Sequence, residues 1–515
     1  MEYFLRLVMA KLTKEKKTAF EYIEEKQEKI SDLHQLIWRY AETALREYKS
    51  YDALVAWHRE EGFEVEDGIA GMPTAYMATW GKGKPVISTY TEYDAVPETA
   101  QEPVTHREAE NPWQAGHTDP HSALGVAAAA GAHAVKHAIE KHGLKGTIKI
   151  FGAPGEKICI SKPYEAARGY YDGLDACVAW HPRGSTSVMY ETQWGSYWCV
   201  AFVFDCDKPE TWMSYAPDLP VQTRAPGALD AVCLMYTTTK YMKESMLPRT
   251  GLWTINEAIL VAGQATADNL PPRIGVITYA FRSPSLVQQE QIYKVLLNNA
   301  EAVAKMTGCK LGIKWVAKTR TGLFNKALAD LAYENLEITG APKFTEIDKE
   351  KAREIVKKLG YKAPQEPYNE KLTPPDEWEK MWRKPIPNYQ THHGSDDYVE
   401  FTWHCPTVWI QVYVPSVSVT GVRLPAWTRY SLCGMKGVID KSIYTAGKAI
   451  SGTMMDLITD PDRLKACKDE WKERTSKYME KPLLPSDMEP PVDLPWPEYV
   501  TTPRGREWHI PPFKV

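Results

Sequence analysis

Three apolar runs of strand length follow one another with helical stretches between them. They are "PVISTYTEYDAVP" at 85–97, "GTIKIFGAPGEK" at 146–157 and "LDACVAWHPRG" at 174–184. A helical pattern at 122–142 separates the first two, and "KPYEAARGYYDG" separates the second from the third. Strand, helix, strand, helix, strand predicts crossover units and a mainly parallel sheet, which places the chain in the α/β class. In such a sheet ligands bind beyond the carboxyl ends of the strands. Residues able to do chemistry fall there: Asp94 towards the end of the first run, Glu156 and Lys157 at the end of the second, His181 towards the end of the third.

The helix after the first strand is entered by "AGHTDPHSALGVAAAAG", residues 115–131. One reading makes Asp119, before Pro120, simply a helix cap with proline at the first helical position. That role accounts for Asp119 and Pro120 but leaves His117 unexplained. Taken together, His117, Asp119 and His181 make two imidazoles and a carboxylate, the open three-ligand set of a catalytic divalent metal such as zinc or manganese. Glu156, at the neighbouring strand end, is placed to take a proton from water. Without a metal, Glu156, Lys157 and His181 would still support acid–base chemistry such as isomerisation, cyclisation or decarboxylation.

Elsewhere, 14–62 has helical spacing, and 194–317 reads as β-α-β-β-α-β, the order of a ferredoxin-like unit. This divides the chain into an α/β domain of 1–193 and 318–515 and an inserted domain of 194–317. The proline- and charge-rich 341–389 is expected as a surface insertion or lid, and 479–515 as an extended tail without elements. His133, His137 and His142 recur at helical spacing and read as a solvated face. In "YQTHHGSDDYVE" a loop carrying His392, His393, Asp396 and Asp397 precedes a strand, and His393 is a candidate for contact with substrate.

A net charge of −4 gives no electrostatic case for nucleic acid or an anionic membrane as partner. The nine cysteines include no CxxC pair, and no run reaches the ~18 apolar residues of a membrane span. A soluble, cytoplasmic protein acting on a small molecule is the expectation.

The pattern "GTIKIFGAPGEK … ARGYYDGLDACVAWHP", with "GALDAV", "NLPPRIGVITYAFRSP" and "GSDDYVEFTWHCPTV", resembles the aminoacylase/carboxypeptidase family of metal-dependent amidohydrolases, most like its p-aminobenzoyl-glutamate hydrolase branch. The resemblance spans roughly 30–480. It implies a zinc-aminopeptidase-like domain with a ferredoxin-like lid that also forms a homodimer, and hydrolysis of a C–N bond. It implies Glu156 as general base, His181 as a ligand, and Asp94 as the acidic residue after the first strand.

Counted back from the alanine run, the family's Cys and His ligands fall on His117 and Asp119. Asn269 and Arg282 match lid positions that reach substrate, with His121 and Trp212 beside the cleft. The pattern is degenerate. Lys157 stands where the family has a ligand glutamate, Ala426 where it has a ligand histidine, and Trp212 near the place of the lid histidine. One divalent metal is therefore expected rather than two. The aromatic content, including Trp180, Trp194, Trp212 and Tyr93, points to an aromatic substrate. A family member turned inactive binding subunit is the remaining reading.

Overall fold

The computed structural model describes residues 12–111, 113–207, 225–246, 252–263, 271–476, 481–502 and 505–509. The first sheet contains β1 (Glu64–Asp67), β2 (Tyr76–Lys82), β3 (Val86–Thr91), β4 (Gly146–Gly152), β5 (Ala176–Arg183) and β6 (Ser187–Val188). A second sheet contains β7 (Gln193–Asp205), β8 (Thr254–Ala262), β9 (Ile274–Ser283), β10 (Lys310–Lys318) and the short β11 (His392–Ser395). The chain then returns to the first sheet with β12 (Thr407–Tyr413).

The first sheet runs β1-β2-β4-β3-β5-β12-β6. Its centre is parallel: β3 pairs with β4 and β5, and β5 with β12. The edge strands β1, β2 and β6 pair antiparallel. A parallel centre must be covered on both faces, and its strands are correspondingly buried along almost their whole length. The helix His121–His142 covers one face, and its small residues let it lie close to the sheet. At Gly125 an added Cβ would lie 2.6 Å from the carbonyl oxygen of Glu92, so only glycine lets the helix approach the end of β3.

The second sheet is antiparallel in the order β10-β7-β9-β8, with helices Ala228–Met246 and Leu286–Thr307 on it. This is the β-α-β-β-α-β arrangement expected from the sequence. It carries its own core of Trp198, Phe202, Ile277, Tyr279 and Leu296.

The segment 341–389 forms helices Glu346–Lys358 and Pro375–Arg383 and buries Phe344, Ile355, Tyr368 and Trp378. Proline there opens a helix at Pro375 rather than preventing one. Two expectations, on the tail and on His133, are corrected. The tail ends in an antiparallel hairpin, Glu498–Thr502 with Gly505–His509, preceded by buried Leu484, Leu494 and Trp496. His133 faces the core, where its Nε2 lies 2.8 Å from His58 Nδ1. All nine cysteines are free thiols and only Cys233 is exposed. Among the described residues no helix is long and apolar enough to cross a membrane.

Candidate active site

Four elements converge at the carboxyl ends of β3, β4 and β5. The chain leaving β3 carries Glu92 and Asp94, and its alternation puts both on one side. The Pro154-Gly155 turn after β4 delivers Glu156 and Lys157. It is fixed by Gly155 at φ +62° and by two buried carboxylates: Glu47 Oε1 accepts from the Gly155 N–H at 2.8 Å, and Asp94 Oδ2 from the Lys157 N–H at 2.9 Å. β5 carries His181 near its end. The entry to the long helix brings Asp119 and, as the first helical residue, His121.

The histidine that joins the cluster is His121, not His117. His117 is buried with its ring stacked on Trp38 at 5.3 Å and its Nε2 3.3 Å from the carbonyl oxygen of Ile37. Burial lowers its pKa to about 3, so it is a neutral core residue. The physical reason is local. Gly116 exchanges backbone hydrogen bonds with Val96, pinning the chain so that residue 117 turns inward and the helix opens only at residue 121.

His121 is held by a hydrogen bond from Nδ1 to Asp94 Oδ1 at 2.6 Å, so its Nε2 faces the cluster. His181 is held likewise: Nδ1 donates to the Pro182 carbonyl at 3.0 Å, leaving Nε2 free. Asp119 Oδ2 lies 3.8 Å from His121 Nε2 and 3.7 Å from His181 Nε2. Its other oxygen, Oδ1, accepts from Lys157 Nζ at 2.5 Å, and Nζ also lies 2.8 Å from His121 Nε2. Glu156 Oε2 stands 3.4 Å from His121 Nε2 and 3.8 Å from Lys157 Nζ.

The electrostatics separate these groups. Burial pushes the Asp119 carboxyl up, but Lys157 and then His121 outweigh it and hold Asp119 well below the usual carboxylate range. Burial, with Asp396 nearby, raises Glu156 despite Lys157 and His121. Burial and then Arg183 keep His181 neutral. Burial opposes the charge on Lys157, yet Asp119, Glu156 and Asp94 raise it above the ordinary ammonium range. One permanently ionised carboxylate beside one proton-accepting carboxylate is the division of labour that acid–base catalysis requires.

Donor atoms of Glu92, His121 and His181 lie within 4.8 Å of one another, a grouping able to hold one divalent cation, and Asp119 Oδ2 borders it. Tetrahedral bonds of about 2.0–2.1 Å give donor–donor edges of roughly 3.4 Å, close to the separations around Asp119 Oδ2. Both imidazoles have their second nitrogen anchored, as metal-binding histidines do. Glu92 Oε2, buried and without a hydrogen-bond partner, lies 3.4 Å from His121 Nε2.

Sequence reasoning missed Glu92 and Lys162. Lys162 Nζ donates to Glu92 Oε1 at 2.8 Å and to Asp397 Oδ1 at 2.6 Å, all fully buried beneath the cluster. Removing one partner of such a buried pair costs about 3–5 kcal/mol, because a charge is left uncompensated. Only the two-residue step from Glu92 to Asp94 hinted at it.

Other expected residues scatter. Arg282 lies on β9 over the Tyr197 ring at 4.7 Å and acts on Cys159, two residues after Lys157. His393 packs on Trp194 and Trp382 beside Arg183, whose guanidinium sits 4.8 Å from the Trp409 ring. Trp180 and Tyr93 bond to backbone in the core. Asn269 and Trp212 lie outside the described residues.

No family model matches the sequence. The chain is 26% identical over 482 residues to a p-aminobenzoyl-glutamate hydrolase subunit of Escherichia coli (strain K12), covering 91% of this chain and 97% of that protein. Over nearly its whole length the chain is thus similar to that hydrolase subunit. A mouse Xaa-Arg dipeptidase is 24% identical over 342 residues, or 62% of this chain and 70% of the dipeptidase. The solved aminobenzoyl-glutamate utilization protein of Klebsiella pneumoniae superposes with a TM-score of 0.51 at 12% identity, covering 84% of this chain and 98% of that one. The shared fold is thus an α/β domain with a ferredoxin-like unit inserted.

Proposed function

We propose that this protein hydrolyses a C–N bond, an amide or aryl-amine linkage, in a small substrate with aromatic character. The observation that carries this is Glu156. Its carboxylate is buried and makes no hydrogen bond among the described residues, and it stands 3.4 Å from His121 Nε2. A residue spared from structural duty at that position is available for proton transfer.

In this reading Asp119, His121 and His181 hold one divalent cation of zinc or manganese type. Such an ion supplies Lewis acidity to the substrate carbonyl and acidifies a water molecule. Glu156 takes the proton from the attacking water and returns it to the departing nitrogen. Lys157, fixed by Asp119, offers positive charge to the carbonyl oxygen as it becomes an oxyanion. Asp94 is a positioning residue, because it acts through His121 and the backbone of Lys157. Trp194, Trp382, Trp409 and His393, packed round Arg183 beyond His181, supply aromatic surface for the substrate. Substrate contact by Arg282, and pairing of two copies through the second sheet, belong to the same reading.

One observation favours a second reading, a metal-independent acid–base enzyme: Lys157 Nζ already stands 2.8 Å from His121 Nε2, where a cation would have to bind. Amine release from a panel of N-acyl and aryl amides, p-aminobenzoyl-glutamate included, separates the readings. Hydrolysis lost on chelation and regained with zinc or manganese supports the first. Turnover that survives exhaustive chelation supports the second, and absence of turnover with Glu156 intact would sink both.

A further inference from the structure

We infer that Arg183 holds a carboxylate of the substrate, so that the preferred amide is an acid rather than a neutral molecule. The guanidinium lies just beyond the cluster. Trp409 touches both: its ring stands 4.8 Å from the His181 ring and 4.8 Å from the Arg183 guanidinium. Trp194 and Trp382 complete the surround at 5.6 and 5.9 Å. Two of these indoles are anchored in turn, Trp409 Nε1 on Tyr90 Oη at 3.0 Å and Trp194 Nε1 on Met189 Sδ at 2.7 Å. Fixed aromatic walls hold a guanidinium in place by its face and leave its N–H edge to bond.

Arg183 has no anion of the chain to pair with. Its Nε is buried without a hydrogen-bond partner, and among the described residues no carboxylate comes within ion-pair distance. A largely buried charge is ordinarily paired, because it has given up its hydration. Gln411 lies opposite His181 in the β5–β12 register, two residues on from Trp409. It is buried with both amide atoms unpartnered, and so adds a neutral N–H donor on the same stretch of sheet. The guanidinium fork matches a carboxylate through two parallel bonds. A phosphate suits the place less well. Asp396, Asp119 and Glu156 bear on Arg183 and outnumber Arg429, so their field repels a dianion more than a monoanion.

This inference rests on the proposed hydrolytic site, but binding alone reads it out. N-benzoylglycine and its neutral counterpart N-benzoylglycinamide are titrated into a Glu156→Gln parent, so that turnover does not interfere, and followed by tryptophan fluorescence and calorimetry. The parent is expected to bind the acid roughly 10- to 100-fold more tightly than the amide, the worth of a hydrogen bond to a charged group. Adding Arg183→Gln is expected to bring the two affinities together while leaving that for the amide unchanged. Circular dichroism confirms folding, and should the arginine variant not fold, the parent's own ratio still decides. Equal affinities in the parent, or no saturable binding of the acid, would overturn the inference. So would a folded Arg183→Gln protein that still prefers the acid, or one that loses both probes alike, as a merely structural arginine requires. A preference that follows Arg183, in a chain whose wild type hydrolyses no amide, tells against the proposed hydrolysis and leaves the carboxylate site standing.

Discussion

Asp94 and His121 are joined by a 2.6 Å hydrogen bond that fixes which imidazole nitrogen faces the cluster. Asp94→Asn keeps the shape but allows the amide to donate to Nδ1, which favours the tautomer with its proton on Nε2, where a cation's ligand is needed. Loss of such an orienting partner typically costs 10–100-fold in metal affinity. Competition with a chromogenic chelator is expected to show a loss in that range, with secondary structure unchanged.

Glu156→Gln is isosteric and removes only the ability to accept a proton. Turnover is expected to fall about 10²–10⁴-fold, the usual contribution of a general base, while metal content stays at the wild-type level. The acid limb of the wild-type pH–rate profile should lie above the ordinary glutamate value of 4.5, because burial and Asp396 raise this carboxyl. Activity grows as pH rises through that limb and the base becomes ionised. A limb at or below 4.5 would contradict the assignment.

His117→Phe tests the register of the entry motif. The residue packs under Trp38 and no cluster atom depends on it. Metal stoichiometry is expected to match wild type, whereas His121→Phe should abolish retention. Truncation to alanine should lower stability by about 2–4 kcal/mol through the cavity it leaves, read by denaturant unfolding.

Much of this site was legible before any coordinates. The strand ends point to Asp94, Glu156, Lys157 and His181 because a parallel sheet with alternating helices dictates where its carboxyl ends lie. The register of His117, Asp119 and His121 was not legible. Residues two apart share a side only while the chain stays extended, and the contact of Gly116 with Val96 that turns His117 inward is a tertiary event. The ion triad of Lys162 escaped for the same kind of reason: its partners lie 70 and 235 residues away, and no local pattern couples them. The helices of 341–389 were not legible, because composition alone does not say which proline opens a helix, as Pro375 does.

Glu165 gives the fold a pH-dependent term that can be isolated. It is fully buried, accepts from Tyr171 Oη at 2.7 Å and leaves Oε1 without a partner. Burial raises its pKa from 4.5 to about 8, against the pull of Tyr171 and Lys162. The folded state therefore binds more protons than the unfolded state between those values. The stabilisation is complete below about 4.5 and is lost as pH rises through about 8. Glu165→Gln should flatten the fall of Tm between pH 5 and 9. An unchanged slope would contradict this placement.

The central claim is that Asp119, His121 and His181 form one cation site with Glu156 at its edge and Lys157 beside it. Anomalous diffraction from crystals soaked in zinc or manganese tests it most directly. The account predicts a single strong peak within bonding distance of Asp119 Oδ2, His121 Nε2 and His181 Nε2, with Lys157 Nζ still on Asp119 Oδ1. A peak at the position of Nζ, two peaks in the cluster, or a lone peak among Glu156, Cys159 and Asp397 would contradict it.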